Sequence, residues 1–239
     1  MKKIFILLII FSSPLLSQIS IALGPMVTLV SPTVDYSGET TDFYAGTKYS
    51  LRSGVGYGVN GKIRLGPINA KLSISFASLN NEGQAEIDKP NSKAEVKNSL
   101  FMFTIGTDYG FSVPGSPIKP YFGLDILFTS ISGSFRFQGT SNVNSNTNNI
   151  QSASRTGLGI NGGLEIKVAG VTSIDLSLHY NLHNLFGKEY TSGANRIDAY
   201  TSLNDAKDPN YSATDEKHPI GNDRTIATIQ FQIGILFGF

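Results

Sequence analysis

Four polar side chains between positions 175 and 183 are of the types that do nucleophilic or metal chemistry. Asp175, Ser177, His179 and His183 lie an even number of residues apart, so they share one face if this segment is a β-strand. A serine nucleophile needs a base within hydrogen-bond reach and a third group that orients the base. Neighbouring residues on one strand face are about 6.5 Å apart, which makes a direct bond from Ser177 to His179 marginal. The sequence therefore favours a hydrogen-bond network over a catalytic site, and the two histidines lack a third ligand for a metal.

The segment from Gly157 to Gly162 spells the G-x-G-x-x-G of dinucleotide-binding loops. That motif functions only between a strand and a helix, where the helix N-terminus meets the pyrophosphate. Here it lies inside a segment that alternates like a strand, so we interpret it as a chance match. The sequence predicts no cofactor, and we expect that the protein is not an enzyme.

A long polar segment, 187–223, carries charges of both signs. Interspersed charges of this kind are typical of a solvated surface, and calcium or lipopolysaccharide phosphates are the alternative ligands. The charged residues are Glu189, Asp198, Asp205, Asp208, Asp215, Glu216 and Asp223, with Lys188, Arg196, Lys207 and Lys217, and Arg224 directly follows the segment.

These side chains lie in or beside segments in which apolar and polar residues alternate, most regularly at 224–239. Alternation of period two predicts strands with one apolar and one polar face. Seven such strands are clear, and an eighth is predicted at about 25–36, where a bulge near Pro32 would reconcile its phases. The alternative is an extra hairpin within the long segment, 188–190 with 197–201. The apolar positions of the last strand are Ile229, Phe231, Ile233, Ile235, Phe237 and Phe239.

Short turns (66–69, 112–118 and 169–171) alternate along the chain with long polar segments (37–49, 80–96, 138–154 and 187–223). Short turns at one end and long loops at the other are typical of a barrel that crosses the outer membrane. Beyond Thr129 the apolar positions change to Ile131, Phe135 and Phe137, which indicates either a bulge or a strand that extends past the membrane. We predict an all-β fold: an eight-stranded antiparallel up-and-down transmembrane β-barrel, or meander.

Charged residues lie only on the polar faces of the seven clear strands. A charge on the lipid side at the bilayer midplane would cost about 2–4 kcal/mol, which excludes charges from that face. Inside an eight-stranded barrel the charges can pair with one another, because the lumen is just wide enough to be filled by side chains. We therefore predict a polar network inside the barrel. Its members are Arg52, Lys62, Arg64, Asp108, Asp125, Glu165, Asp175 and His179.

The first 22 residues have the pattern of a secretory signal peptide. Lys2 and Lys3 precede an apolar run, and Ser20 and Ala22 are small residues suited to cleavage, which predicts a mature start near Leu23. The barrel domain would then be 23–239. With 19 basic and 18 acidic residues, no global charge points to nucleic acid.

The eight-strand pattern and the ending Ile-Leu-Phe-Gly-Phe resemble the small bacterial outer-membrane β-barrel family, which includes the OmpA membrane domain and OmpX. The resemblance implies a location in the outer membrane of a Gram-negative-type bacterium, in contact with lipid and lipopolysaccharide. It also implies a non-enzymatic role in envelope integrity, adhesion or binding. The first alternative is a narrow passive channel, and the second, less favoured, is a lipid-modifying outer-membrane enzyme. The protein is expected to be a monomer. In that family a terminal aromatic preceded by alternating apolar residues is recognised by the barrel-assembly machinery. The matching residues are Phe231, Ile235, Phe237 and Phe239.

Overall fold

The computed structural model describes residues 19–141, 143, 145–212 and 214–239. Eight antiparallel strands form a closed barrel in which each strand pairs with its neighbours in sequence, and the first pairs with the last. The strands are β1 (Ile19–Thr33), β2 (Gly54–Leu65), β3 (Ile68–Gly83), β4 (Lys93–Gly110), β5 (Ile118–Gln138), β6 (Thr147–Ala169), β7 (Thr172–Phe186) and β8 (Ala227–Gly238). A short helix, α1 (Thr40–Tyr44), and 3-10 turns at Val34–Tyr36 and Asp198–Tyr200 lie in the connections. In the described part of the chain, no helix has the length and apolar character to cross a bilayer.

The first strand begins earlier than the sequence pattern predicted. β1 runs from Ile19 to Thr33 rather than from 25 to 36, and its side chains alternate without a bulge at Pro32. The predicted signal peptide lies mostly outside the described residues. Its last four residues, 19–22, are described and pair with residues 62–65 of β2. The alternation of outward and inward residues starts in these four residues. A strand predicted to begin only at Pro25 therefore left the faces of its residues undetermined. The mature start near Leu23 stays a prediction.

The outward faces of all eight strands form one apolar band. Along β5 this band runs from Ile118 to Phe128, with Phe122, Leu124 and Ile126 between them. Eleven tilted residues cover about 25 Å, the height of the apolar band of outer-membrane barrels. Towards the long loops the band ends in exposed or half-exposed serines, which we call the serine collar: Ser31, Ser53, Ser78, Ser99, Ser130 and Ser154.

Beyond the serine collar, β3 to β6 continue as a wall while the other four strands end close to it. In this wall the two faces exchange roles: Ile131, Phe135 and Phe137 of β5 point inward and are buried, although the alternation of β5 is unbroken. The strand therefore continues through the change of phase, as the extension predicts. The register of β5 with β6 also shifts between Ile131 and Gly133, as the alternative, a bulge, predicts.

Two of the predicted loops are consequently much shorter. The segment between β3 and β4 is 84–92 rather than 80–96, and that between β5 and β6 is 139–146 rather than 138–154. The outer faces of the extended strands meet water and therefore carry Asn and Ser. These residues are also typical of loops, which is why the strand ends were predicted as loops. The segment between β7 and β8 is 187–226, and its described residues contain a 3-10 turn but no strand, so the extra hairpin is wrong.

Candidate functional site

The lumen contains two layers of different chemistry. The layer nearer the short turns is a network of charged side chains, and the layer under the long loops is an apolar core covered by a cap. We define the cap as residues 34–53, which include α1, together with 187–226. The end with the short turns is called the short-turn end, and the opposite end the long-loop end.

Lys62 is the centre of the charged layer. Its ammonium group is buried and forms ion pairs with Asp175, with Asp108 at 3.6 Å and with Glu165 at 3.9 Å. It also lies 4.0 Å from the centre of the Tyr121 ring, whose hydroxyl donates to Asp175. Removing one partner of such a buried pair typically costs about 3–5 kcal/mol, because an uncompensated charge remains. The network therefore fixes several strands to one another across the lumen.

Arg64 continues this network towards the short-turn end. Its guanidinium donates to Glu165, which also accepts a hydrogen bond from the Ser173 hydroxyl at 3.0 Å. The Arg64 side chain is 21% exposed, so the charged layer reaches the mouth of the barrel.

Ser177, His179 and Asp125 form a direct chain of polar contacts. Ser177 Oγ lies 2.9 Å from His179 Nε2, and His179 Nδ1 lies 3.4 Å from Asp125 Oδ2. The direct bond from Ser177 to His179, which the strand spacing made marginal, is therefore present. Asp125 is also paired with Lys71 at 2.8 Å and accepts from Asn161 at 2.8 Å. His183 is separate from this chain and contacts the hydroxyls of Thr129 and Thr228 at 3.0 and 2.8 Å.

The apolar layer closes the lumen at the long-loop end. The Phe43 ring of α1 packs against Phe135 and Phe137 of the wall, with ring centres 6.1 and 5.7 Å apart. Tyr200 of the cap lies 5.1 Å from Phe137 and 5.3 Å from Phe43, and its hydroxyl donates to the Tyr44 carbonyl at 2.6 Å. Aromatic pairs of this kind contribute about 0.5–1.5 kcal/mol each beyond their buried area. The cap is therefore packed like the core of a water-soluble domain.

A buried ion pair attaches the cap to the barrel. Arg155 of β6 donates to both oxygens of Asp205, from Nε at 2.9 Å and Nη2 at 2.8 Å. Asn184 and the Glu189 backbone N–H also donate to Asp205. Burial alone would raise the pKa of Asp205, but the hydrogen bonds from Arg155, Asn184 and Glu189 outweigh it and hold this pKa below its ordinary value. The carboxylate is therefore charged in the folded cap.

Arg224 and Tyr49 join the two halves of the cap. The guanidinium carbon of Arg224 lies 3.9 Å from the centre of the Tyr49 ring, and the Tyr49 hydroxyl donates to the Leu203 carbonyl at 2.9 Å. Burial raises the pKa of Tyr49, so its hydroxyl stays protonated and remains a donor. Among the described residues, no group of three or more His, Cys, Asp and Glu side chains is arranged to hold a metal ion.

A family model described as "Outer membrane protein beta-barrel domain" matches residues 4–234. The chain belongs to this outer-membrane β-barrel family. It is thus an outer-membrane protein of a Gram-negative-type bacterium. No curated protein matches the chain.

Three solved structures are similar to this chain at low sequence identity. A major outer membrane protein from Thermus thermophilus is 12% identical, with 92% of this chain and 99% of that chain covered and a TM-score of 0.51. Neisserial surface protein A is 12% identical, with 92% and 97% covered and a TM-score of 0.47. Ail of Yersinia pestis, solved in complex with the heparin analogue sucrose octasulfate, is 14% identical, with 92% and 97% covered and a TM-score of 0.40.

Seven of the eight residues predicted for the lumen network of this family member lie in the charged layer. The exception is Arg52, which is exposed and pairs with Glu39 at 3.5 Å. The chain departs from the strand before Gly54, with Ser50 at φ +59°, so alternation no longer determines where residues 50–53 point. Leu51 lies in the same irregular segment and is buried in the apolar core of the cap.

Several contributors to the lumen and cap were not selected from the sequence. The alternation does place Lys71 and Tyr121 on the inward faces of their strands, but neither was among the residues predicted for the network. Arg155 and Asp205 could not be paired in this way, because they are 50 residues apart and one of them lies in a loop.

Three of the four residues predicted for recognition by the assembly machinery point outward from β8. Phe231, Ile235 and Phe237 are each close to half exposed on the apolar band. Phe239 lies beyond β8, where its backbone N–H donates to the Ile21 carbonyl of β1 at 2.8 Å.

Proposed function

We propose that the protein is a non-enzymatic, non-conducting barrel whose long-loop end faces the outside of the cell and serves envelope integrity or the binding of an external partner. The observation that carries this proposal is the cap, which is folded on an apolar core instead of forming mobile loops over an open pore. Such a cap both closes the lumen and gives the cell surface a rigid contact face.

Two barriers in series support a closed lumen. The first is the network around Lys62, which fills the section of the barrel at Asp108, Glu165 and Asp175. The second is the aromatic layer of Phe43, Phe137 and Tyr200. An ion would have to break buried pairs at the first barrier and cross an apolar layer at the second, and both steps are costly.

The outer surface of the long-loop end suits contact with a partner. A groove of about 600 Å³ opens beside Glu39 and Arg52, and another of about 370 Å³ beside Glu82 and Lys93. The exposed charges of both signs around them favour a polar, salt-sensitive interaction.

The contacts of Ser177, His179 and Asp125 are those of a hydrolase triad, but their setting argues against catalysis. All three side chains are buried between Lys71, Asn161 and the neighbouring strands, and the cavities at the two ends of the barrel are lined by other residues. A substrate would have no path to the serine. We therefore expect Ser177→Ala to leave the lipid A of the host unchanged in mass, and a change in that mass would contradict the non-enzymatic assignment.

Planar-bilayer conductance tests the closed lumen. The wild-type protein should show no stable conductance steps. Replacing 190–220 by a short linker opens the second barrier by removing Tyr200, and Lys62→Ala with Asp175→Ala weakens the first. Since either barrier alone blocks ions, we expect stable steps only when both changes are combined.

Heat-modifiable gel mobility serves as the control that each variant is folded. Stable steps from the wild-type protein that disappear on Asp125→Asn would contradict the closed lumen and favour the narrow passive channel.

A further inference from the structure

A cavity of about 460 Å³ opens at the short-turn end of the barrel. We call it the vestibule. Residues from the turns and from the ends of several strands line it, including the cationic side chains of Arg64, Lys119 and Lys167. It lies at the opposite end of the barrel from the cap and has no part in the function proposed above.

The vestibule has an excess of positive charge. Glu165 is the one carboxylate side chain among its lining residues. That carboxylate is already engaged by Arg64, by Lys62 at 3.9 Å and by the Ser173 hydroxyl at 3.0 Å. In the described part of the chain, neither Lys119 nor Lys167 forms an ion pair. Two lysines therefore line this cavity without a side-chain carboxylate of the described residues paired to them.

The missing side chain at Gly110 leaves room for the Lys119 side chain at the vestibule. A Cβ atom on Gly110 would lie 2.3 Å from Lys119 Cε and 3.1 Å from its Nζ, so the lysine lies across the glycine. Lys119 is directly opposite Glu165 in the pairing of β5 with β6, yet Glu165 bonds to Arg64 and Lys62 instead. The Lys119 ammonium thus keeps its donors for a ligand.

The lining of the vestibule also includes exposed apolar residues. They are Val113, Ile118, Val171 and Phe239, and they lie in the same cavity as polar residues such as Ser112 and Ser116. At the end of the apolar band, such exposed apolar residues lie where lipid headgroups meet the acyl chains. Cationic and exposed apolar side chains in one cavity fit an anionic group that is either free or attached to a lipid.

We propose that the vestibule binds a phosphate group through Lys119 and Lys167, with Arg64 adding to the positive field. Lysine binds phosphate as a point charge with three donors, and a concave site with an excess of positive charge attracts anions. The phosphate belongs either to a phospholipid of the surrounding leaflet or to a soluble molecule, and both present the same monoester or diester oxygens.

The test compares two forms of the ligand on the full-length protein in nanodiscs. In the first arm, native mass spectrometry counts phosphatidylglycerol molecules retained from phosphatidylcholine discs that contain it as a minor component. In the second arm, ³¹P NMR titration with inorganic phosphate and glycerol 3-phosphate measures soluble binding in phosphatidylcholine discs. Binding in the first arm only identifies a lipid headgroup, and binding in the second identifies a soluble phosphate.

The variants separate the proposed contacts from general charge. Each charged hydrogen bond contributes about tenfold in affinity, so we expect Lys119→Gln with Lys167→Gln to weaken binding by about a hundredfold. Gly110→Ala should weaken it by displacing Lys119 without removing a charge. The matched control is Lys93→Gln with Lys97→Gln on the wall, which removes two lysines at the opposite end and should leave binding unchanged.

Two results would overturn the proposal. One is the absence of phosphate binding by the wild-type protein in both arms. The other is binding that is equal in the wild type and the Lys119 and Lys167 double variant, while the melting temperature of the variant falls. That second result would show that the lysines only balance the carboxylates of the charged layer.

Discussion

Arg52 and Arg64 have different surroundings because β2 begins between them, at Gly54. Arg64 lies within β2 and enters the lumen, whereas Arg52, twelve residues earlier on the same apparent face, lies outside it and is exposed. Alternation predicts the side on which a residue lies as long as the strand continues, and it contains no signal for the residue at which pairing stops. Alternation therefore placed seven of the predicted residues correctly in the lumen, and it misplaced Arg52, the one nearest a loop.

Asp205 gives the sharpest prediction at the scale of a residue. Asp205→Asn keeps the size of the side chain but leaves the Arg155 charge buried without its partner, which should destabilise the cap by about 3–5 kcal/mol. Amide hydrogen exchange of 187–226 in the folded barrel measures this loss. The control is Asp223→Asn, whose pair with Lys188 is partly exposed and should contribute about 0–1 kcal/mol.

The same pair fixes the response of the cap to pH. The pKa of Asp205 is lower in the folded cap than its ordinary value of 3.8, so the carboxylate stabilises the cap above pH 3.8 and this contribution is lost as the pH falls further. Hydrogen exchange in 187–226 should thus accelerate below that pH in the wild type and change much less in Asp205→Asn. Equal acceleration in both proteins would contradict this role of Asp205.

Strands were predicted well in the membrane and less well beyond it. In β5 the alternation continues from Ile118 to Phe137, but the surroundings of its two faces are reversed above Ser130. A pattern of residue types alone leaves two explanations for such a change, a bulge in the strand or a change of solvent. Here the strand passes from lipid, which favours apolar residues outside, to water, which favours them inside.

The last strand, β8, carries the prediction at the scale of an element. Deleting Phe239 removes an exposed aromatic side chain and one backbone hydrogen bond to β1, and we expect a severe loss of insertion if the assembly machinery binds this residue. Leu236→Ala instead empties a buried lumen position, which should cost about 2–5 kcal/mol of stability while insertion continues.

Outer-membrane yield, measured by fractionation and heat-modifiable mobility, distinguishes the two β8 variants. Phe186→Ala is the matched control, since Phe186 is also an exposed aromatic residue near a strand end but lies at the long-loop end. Equal yields for the Phe239 deletion and Leu236→Ala would contradict a role of Phe239 in assembly.

The whole molecule combines a membrane barrel with a water-soluble type of core, and only the first of these could be predicted from the sequence. The number of strands, their order and the closed barrel follow from local alternation and turn lengths. The cap depends on contacts such as Tyr49 with Leu203 and Tyr200 with Tyr44, which join residues more than 150 positions apart. No local pattern specifies such pairs, and the polar composition of 187–223 indicated only a solvated surface.

The folded cap makes a specific prediction about orientation in the cell. On intact cells, proteinase K should cut in the exposed part of the cap around Lys207 and Lys217, and it should spare the buried segment that contains Leu203 and Asp205. Mass spectrometry of the released peptides locates these cuts. The turn at 112–117 should be cut only after the outer membrane is permeabilised, since we place the short-turn end in the periplasm. Cleavage in that turn on intact cells, with 206–218 protected, would reverse the orientation, and the cap could then not serve as a surface for external partners.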